Sequence, residues 1–196
     1  MNRHFPAALA LLVLLVCGAG ARAARGGVSN PQEFAPDPGQ SFSLDLDTMS
    51  GHFSEWRHDH VGPLSGFHAT ISVPRIAQDP QWAPGFTFCV QDSGAGNSGH
   101  ELCVQLVALT STPPLAVHVF RVDAGTKTDE VSFQKTVDLN ENVEVAISWA
   151  TPGSLTIEIG TETHQYKIPW DVDSVSISSS TGELKADPLV FGKAGQ

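Results

Sequence analysis

The sequence predicts an all-β fold, a two-sheet antiparallel β-sandwich, from three observations. Apolar and polar residues alternate with period two in segment after segment. The 13 prolines and numerous glycines punctuate those segments at even spacing. No stretch beyond the N-terminal region sustains a helical period; "RIAQDPQW" comes nearest and Pro80 interrupts it.

Taken in order, the chain opens with a segment that reads as an export signal. Arg3 supplies the positive n-region, "FPAALALLVLLVCGAG" the apolar h-region, and Ala21-Arg22-Ala23 a small-residue cleavage site. Residues 1–23 are therefore expected to be removed, and Cys17 with them. Residues 24–40 read as a flexible leader, 41–192 as the sandwich and 193–196 as a tail. The expected destination is the periplasm or the extracellular space. No later segment is long and apolar enough to span a bilayer.

In "SFSLDLD", Phe42, Leu44 and Leu46 share one face. In "FHATISVP", Phe67, Ala69, Ile71 and Val73 do the same, opposite His68, Thr70 and Ser72. "VEVAISW" aligns Val143, Val145, Ile147 and Trp149; after a Pro152-Gly153 turn, "SLTIEIG" aligns Leu155, Ile157 and Ile159. "DSVSISSS" alternates Val175 and Ile177 with serines.

Between "FTFCV" and "HELCVQLVAL" lies "GAGNSG", Gly94 to Gly99, which matches the dinucleotide fingerprint G-x-G-x-x-G. That fingerprint works where a strand feeds a helix N-terminus. Here both flanks read as strands, so the loop is a hairpin connection and no dinucleotide is expected. Centring the turn on Gly96 sets Phe88 opposite Val104 and Val90 opposite Leu102 on one face. On the other face Cys89 meets Cys103, with Gln91 opposite Glu101. In an exported chain these two cysteines are expected to form a disulfide.

Loss of Arg3 and Arg22 with the signal leaves the chain more acidic than its whole-chain net charge of −10. Nucleic acid and anionic membrane partners, which are held through Lys and Arg, are excluded on that ground.

The run "VEVAISWATPGSLTIEIGTETHQYKIP" followed by "VDSVSISSSTGELKADPLVFG" resembles the concanavalin A-like lectin/glucanase superfamily, and within it laminin G-like jelly rolls. The resemblance covers roughly residues 40–192. It implies a convex and a concave sheet, with sugars or peptides bound on the concave face or its rim. Some members hold calcium and others are glycoside hydrolases. The glucanase branch carries E-x-D-x-E on one strand, a run this chain lacks; its nearest pieces are Asp45 with Asp47, Glu158 with Glu162, and Asp171 with Asp173. Catalysis is accordingly not the expected role.

Two groups of side chains are candidates for a site. His58 and His60, two apart, with His68 on a neighbouring strand, offer imidazoles for a transition metal. Trp56, Trp82, Tyr166 and Trp170 stand at strand ends or in loops, where rings can stack on sugar C–H faces. A structural calcium would draw on Asp45, Asp47, Asp171 or Asp173. No cofactor is required. The expected function is an exported, non-catalytic module that binds a glycan or another extracellular ligand. Trp56, Trp82 and Trp170 form its rim, and His68 and Gln91 hydrogen-bond. The alternatives are a module that binds an extracellular protein without a small-molecule site, and, third, a glycoside or metal-dependent hydrolase.

Overall fold

The computed structural model describes residues 37–62, 64–92, 99–109, 113–151 and 153–193. The expected signal, most of the leader, residues 93–98 of the glycine-rich loop, Pro152 and residues 194–196 lie outside them.

Twelve strands make up the described residues: β1 (Ser41–Asp47), β2 (Phe53–Asp59), β3 (Leu64–Ile76), β4 (Gly85–Asp92), β5 (His100–Val107), β6 (Leu115–Asp123), β7 (Thr126–Val137), β8 (Val143–Thr151), β9 (Ser154–Ile159), β10 (Glu162–Lys167), β11 (Ser174–Ser180) and β12 (Gly182–Lys193). They form two six-stranded antiparallel sheets. Sheet A runs β1-β12-β3-β8-β9-β10 and sheet B runs β2-β11-β4-β5-β6-β7. The all-β sandwich expected from alternation is the fold.

Alternation sets which side chains meet between the sheets. Phe67, Ala69, Ile71 and Val73 of β3 are buried, as are Val143, Val145 and Ile147 of β8 and Leu155, Ile157 and Ile159 of β9. From sheet B come Phe86, Phe88 and Val90, Leu102, Val104 and Leu106, and Val175 and Ile177. Phe67 meets Phe88 across the gap with ring centroids 6.5 Å apart. Each such valine, leucine, isoleucine or phenylalanine side chain contributes roughly 1.5–3 kcal/mol relative to exposure.

The hairpin register follows the expectation residue for residue. Cys89 pairs with Cys103, Phe88 with Val104, Val90 with Leu102 and Gln91 with Glu101. Cys89 and Cys103 form a disulfide.

One boundary is not marked by the alternation. The chain breaks between the serine-rich run and the segment leading to Phe191-Gly192 at Thr181, which has φ 60°. β11 pairs with β2 and β4 in sheet B, and β12 with β1 and β3 in sheet A. The tight crossover needs a residue without a side chain beyond it. A Cβ on Gly182 would lie 2.8 Å from both the Arg75 carbonyl oxygen and Phe86 Cζ. Pro188, which has no N–H for the ladder, falls within a bulge of β12.

Candidate functional site

Pairing registers fix which residues share the outer face of sheet B. One row runs Asp59, Ser174, Gln91, Glu101, Val122 from β2 to β6. The next runs Arg57, Ser176, Cys89, Cys103, Phe120. A third runs Glu55, Ser178, Thr87, Gln105, His118, Ser132. Twelve of these sixteen places are polar, the exceptions being Val122, Phe120 and the two cysteines, whereas the same strands' other face is the core.

These groups are joined by hydrogen bonds. Arg57 Nε donates to Asp59 Oδ1 at 2.6 Å and Arg57 Nη2 to Ser174 Oγ at 3.3 Å. Ser174 Oγ donates to Gln91 Oε1 at 3.2 Å, and Gln91 Nε2 to Ser176 Oγ at 3.4 Å. Farther along, Gln105 Nε2 donates to Thr87 Oγ1 at 3.5 Å, and His118 Nδ1 lies 2.7 Å from Ser132 Oγ. Lys127 Nζ sits 4.0 Å from the centre of the Phe120 ring.

Ser174, Ser176, Gln91 and both cysteines are buried although they point away from the core. Glu101 is half-buried in this setting. Burial pushes its carboxyl above the ordinary range, the Arg57 charge draws it down, and Glu55 pushes it up again. Glu101 Oε2 lies 3.8 Å from Cys103 Sγ. That sulfur is in a disulfide and has no proton to donate, so the approach is a contact rather than a hydrogen bond.

At the end of sheet B where β2 begins, four exposed apolar side chains gather around neighbouring loops: Met49, Phe53, Trp82 and Leu109. Asp79 organises this end. Its Oδ1 accepts from the backbone N–H of Gln81 at 2.8 Å and of Trp82 at 3.0 Å, while Oδ2 accepts from Ser50 Oγ at 3.0 Å. Ser50 Oγ also lies 2.8 Å from the Gln78 carbonyl oxygen, so its one proton is shared between the two acceptors. The β1–β2 and β3–β4 loops are thereby one unit.

The expected site residues do not converge. Trp82 is 49% exposed and Gln91 lies within the network of sheet B. Trp56 faces the core, with centroids 5.7 Å from Phe42 and 5.8 Å from Phe191. Trp170 is buried over His100, centroids 6.2 Å apart and planes 10° from parallel. Neither ring belongs to a rim, and Tyr166 is buried as well. His68 is on the outer face of sheet A, the far side of the sandwich from Gln91.

Nor do the three histidines meet. His58 points inward beside Trp56 and Phe191, and His60, with φ 59°, has left the strand that would have aligned it with His58. Among the described residues the group of three or more ligand-type side chains within mutual reach is Cys89, Glu101 and Cys103. Asp45 faces Lys185 at 3.7 Å, Asp47 pairs with Arg75, and Glu162 accepts from the Gln134 and Lys135 backbone, so these carboxylates have structural partners.

Sequence reasoning missed Arg57, Glu101, Ser174 and Ser176 as a group. The hairpin register put Glu101 beside Gln91, and that was the available signal; the pairing of β2 with β11 is a contact across more than a hundred residues.

The chain matches no protein-family model and no curated protein. Among solved structures it is similar to a native glycosidic hydrolase, at 12% identity and TM-score 0.54 over 87% of each chain. It is similar to the galectin LEC-6 of Caenorhabditis elegans, at 8% identity and TM-score 0.51 over 76% of this chain and 95% of that one. A β-glucanase of Bacillus licheniformis aligns at 12% identity and TM-score 0.50 over 78% of each chain. At such identities the likeness is one of fold. The fold is the concanavalin A-like jelly roll.

Proposed function

From a concanavalin A-like jelly roll whose sheet B carries a polar outer face, we propose an exported, non-catalytic module that binds carbohydrate. The observation that carries this reading is the grid of Arg57, Gln91, Glu101, Thr87, Gln105, His118 and Ser132 on one face, bordered at one end by Phe53 and Trp82. A sugar presents hydroxyls that both donate and accept, and the grid offers guanidinium, amide, hydroxyl and carboxylate groups to match them. A sugar's apolar C–H face needs an aromatic ring, which Trp82 presents.

The non-catalytic part of this reading rests on the sequence, which lacks the E-x-D-x-E run of the glucanase branch. Export is supported by the signal-like N-terminal sequence and by the disulfide, which persists in oxidising compartments.

A second reading has its own support. Met49, Phe53, Trp82 and Leu109 form an apolar end suited to a protein partner. A glycan and polysaccharide array separates the two. The module is expected to bind a defined glycan set, with Trp82→Ala and Gln105→Ala each weakening it roughly tenfold, the scale of one stacking contact or one hydrogen bond to a sugar. A blank array from folded protein would reject the carbohydrate reading.

A further inference from the structure

Hydrogen bonds join most of the outer face of sheet B, but the two cysteines at its centre, beside Glu101 of the grid, have no part in them. Cys89, Glu101 and Cys103 have their sulfur and carboxylate atoms within 4.8 Å of one another. The two cysteines face each other on adjacent strands, and Glu101 is two residues from Cys103, so it projects from the same face of β5. From these placements we propose that the reduced form of this pair, together with Glu101, is a binding site for a thiophilic divalent cation such as zinc. Oxidation to the disulfide closes it.

The chemistry balances as follows. A dithiol reductant transfers two electrons and two protons to the Cys89–Cys103 disulfide; the S–S bond breaks, two thiols form, and the reductant leaves as its own disulfide. A divalent cation then replaces the two thiol protons, which pass to solvent, and binds two thiolates and one carboxylate oxygen. Tetrahedral zinc–thiolate bonds of about 2.3 Å require sulfurs about 3.8 Å apart. A directly opposed cross-strand pair reaches that separation by side-chain rotation, because the backbone register already fixes the cysteines side by side.

Charge favours occupancy. Two thiolates, a carboxylate and a divalent cation leave one negative charge, on a face where the Arg57 charge, itself paired with Asp59, also acts on Glu101. Two ligands are buried and Glu101 is half-buried, so water competes poorly for the cation. The proposal does not depend on carbohydrate binding.

The test uses cobalt(II) as the probe. The purified protein is reduced with a dithiol, desalted under argon, checked for two free thiols by alkylation mass, and titrated with cobalt. Uptake of one equivalent is expected, with thiolate-to-cobalt charge-transfer absorption, displacement by zinc, and no such band in the oxidised protein. Glu101→Gln, once its β-sheet circular dichroism matches the parent's, is expected to weaken cobalt binding at least tenfold, and Cys89→Ser to abolish the band. Any of three results would overturn the proposal: no charge-transfer band from reduced protein that keeps its β-sheet circular dichroism, loss of that dichroism on reduction that the metal does not restore, or cobalt affinity unchanged in Glu101→Gln.

Discussion

Trp82 and Trp170 look alike in the sequence, each a tryptophan in a proline-containing loop, yet they have opposite fates at opposite ends of sheet B. Trp170 is buried over the His100 ring, itself held by Asp123 at 2.8 Å. Trp82 is anchored through its backbone N–H, by Asp79, and the residue stands 49% exposed. One end spends its aromatic surface on closing the sandwich and the other keeps it facing water. What separates them is what lies beneath each ring, a tertiary fact that local composition does not encode.

The contrast gives a ranked set of predictions. Trp170→Ala removes a buried ring and is expected to cost about 3–5 kcal/mol in denaturant unfolding, with glycan affinity of the folded fraction unchanged. A loss under 1 kcal/mol would erase the distinction between the two ends. Gly182→Ala drives a Cβ against the Arg75 carbonyl and Phe86 at the crossover below the Trp82 end. It is expected to cost about 1–3 kcal/mol, as overpacking does, read as a lower thermal midpoint.

Asp79→Ala unties two loops at once and is expected to lower the thermal midpoint by less than Gly182→Ala does, because the bonds it removes are exposed. It should also weaken glycan binding by positioning, which Asp79→Asn should partly rescue. Smallest in stability is Trp82→Ala, within about 0.5 kcal/mol of the parent, although it should weaken binding the most.

Acidity sharpens the same comparison. Asp79's carboxyl lies below its ordinary value, chiefly through the Gln81 backbone N–H, with burial opposing and Ser50 and the Trp82 N–H assisting. Because the folded form holds the proton less tightly, the contribution is complete above the unfolded value of about 3.9 and is lost as pH falls through the lowered folded one. Trp82 fluorescence should therefore change at the acid end of a titration and stay flat from pH 5 to 8, and Asp79→Asn should abolish the acid transition.

Much of the fold was legible because its signals are local. Alternation placed Phe67, Ala69, Ile71 and Val73 in the core, and the cysteines confirmed the β4–β5 register that the apolar face required. The boundary at Thr181 was not legible, since a serine-rich run alternates as well across a crossover as within a strand. Trp56 misled for a related reason. Its strand, "FSEWRHD", has only that one large apolar residue on its inner face, so periodicity is silent about where it points. The site was least legible of all. Asp59, Arg57, Ser174 and Gln91 come from three strands far apart in sequence, and no local pattern announces that they will meet.

The most direct test of the account is an amide and indole chemical-shift titration of isotope-labelled protein with a glycan identified on the array. The account predicts that shifts concentrate at Thr87, Gln91, Glu101, Gln105, His118 and the Trp82 indole, with His68 and the Trp170 indole unmoved. Shifts centred on His68 and the outer face of sheet A would contradict it.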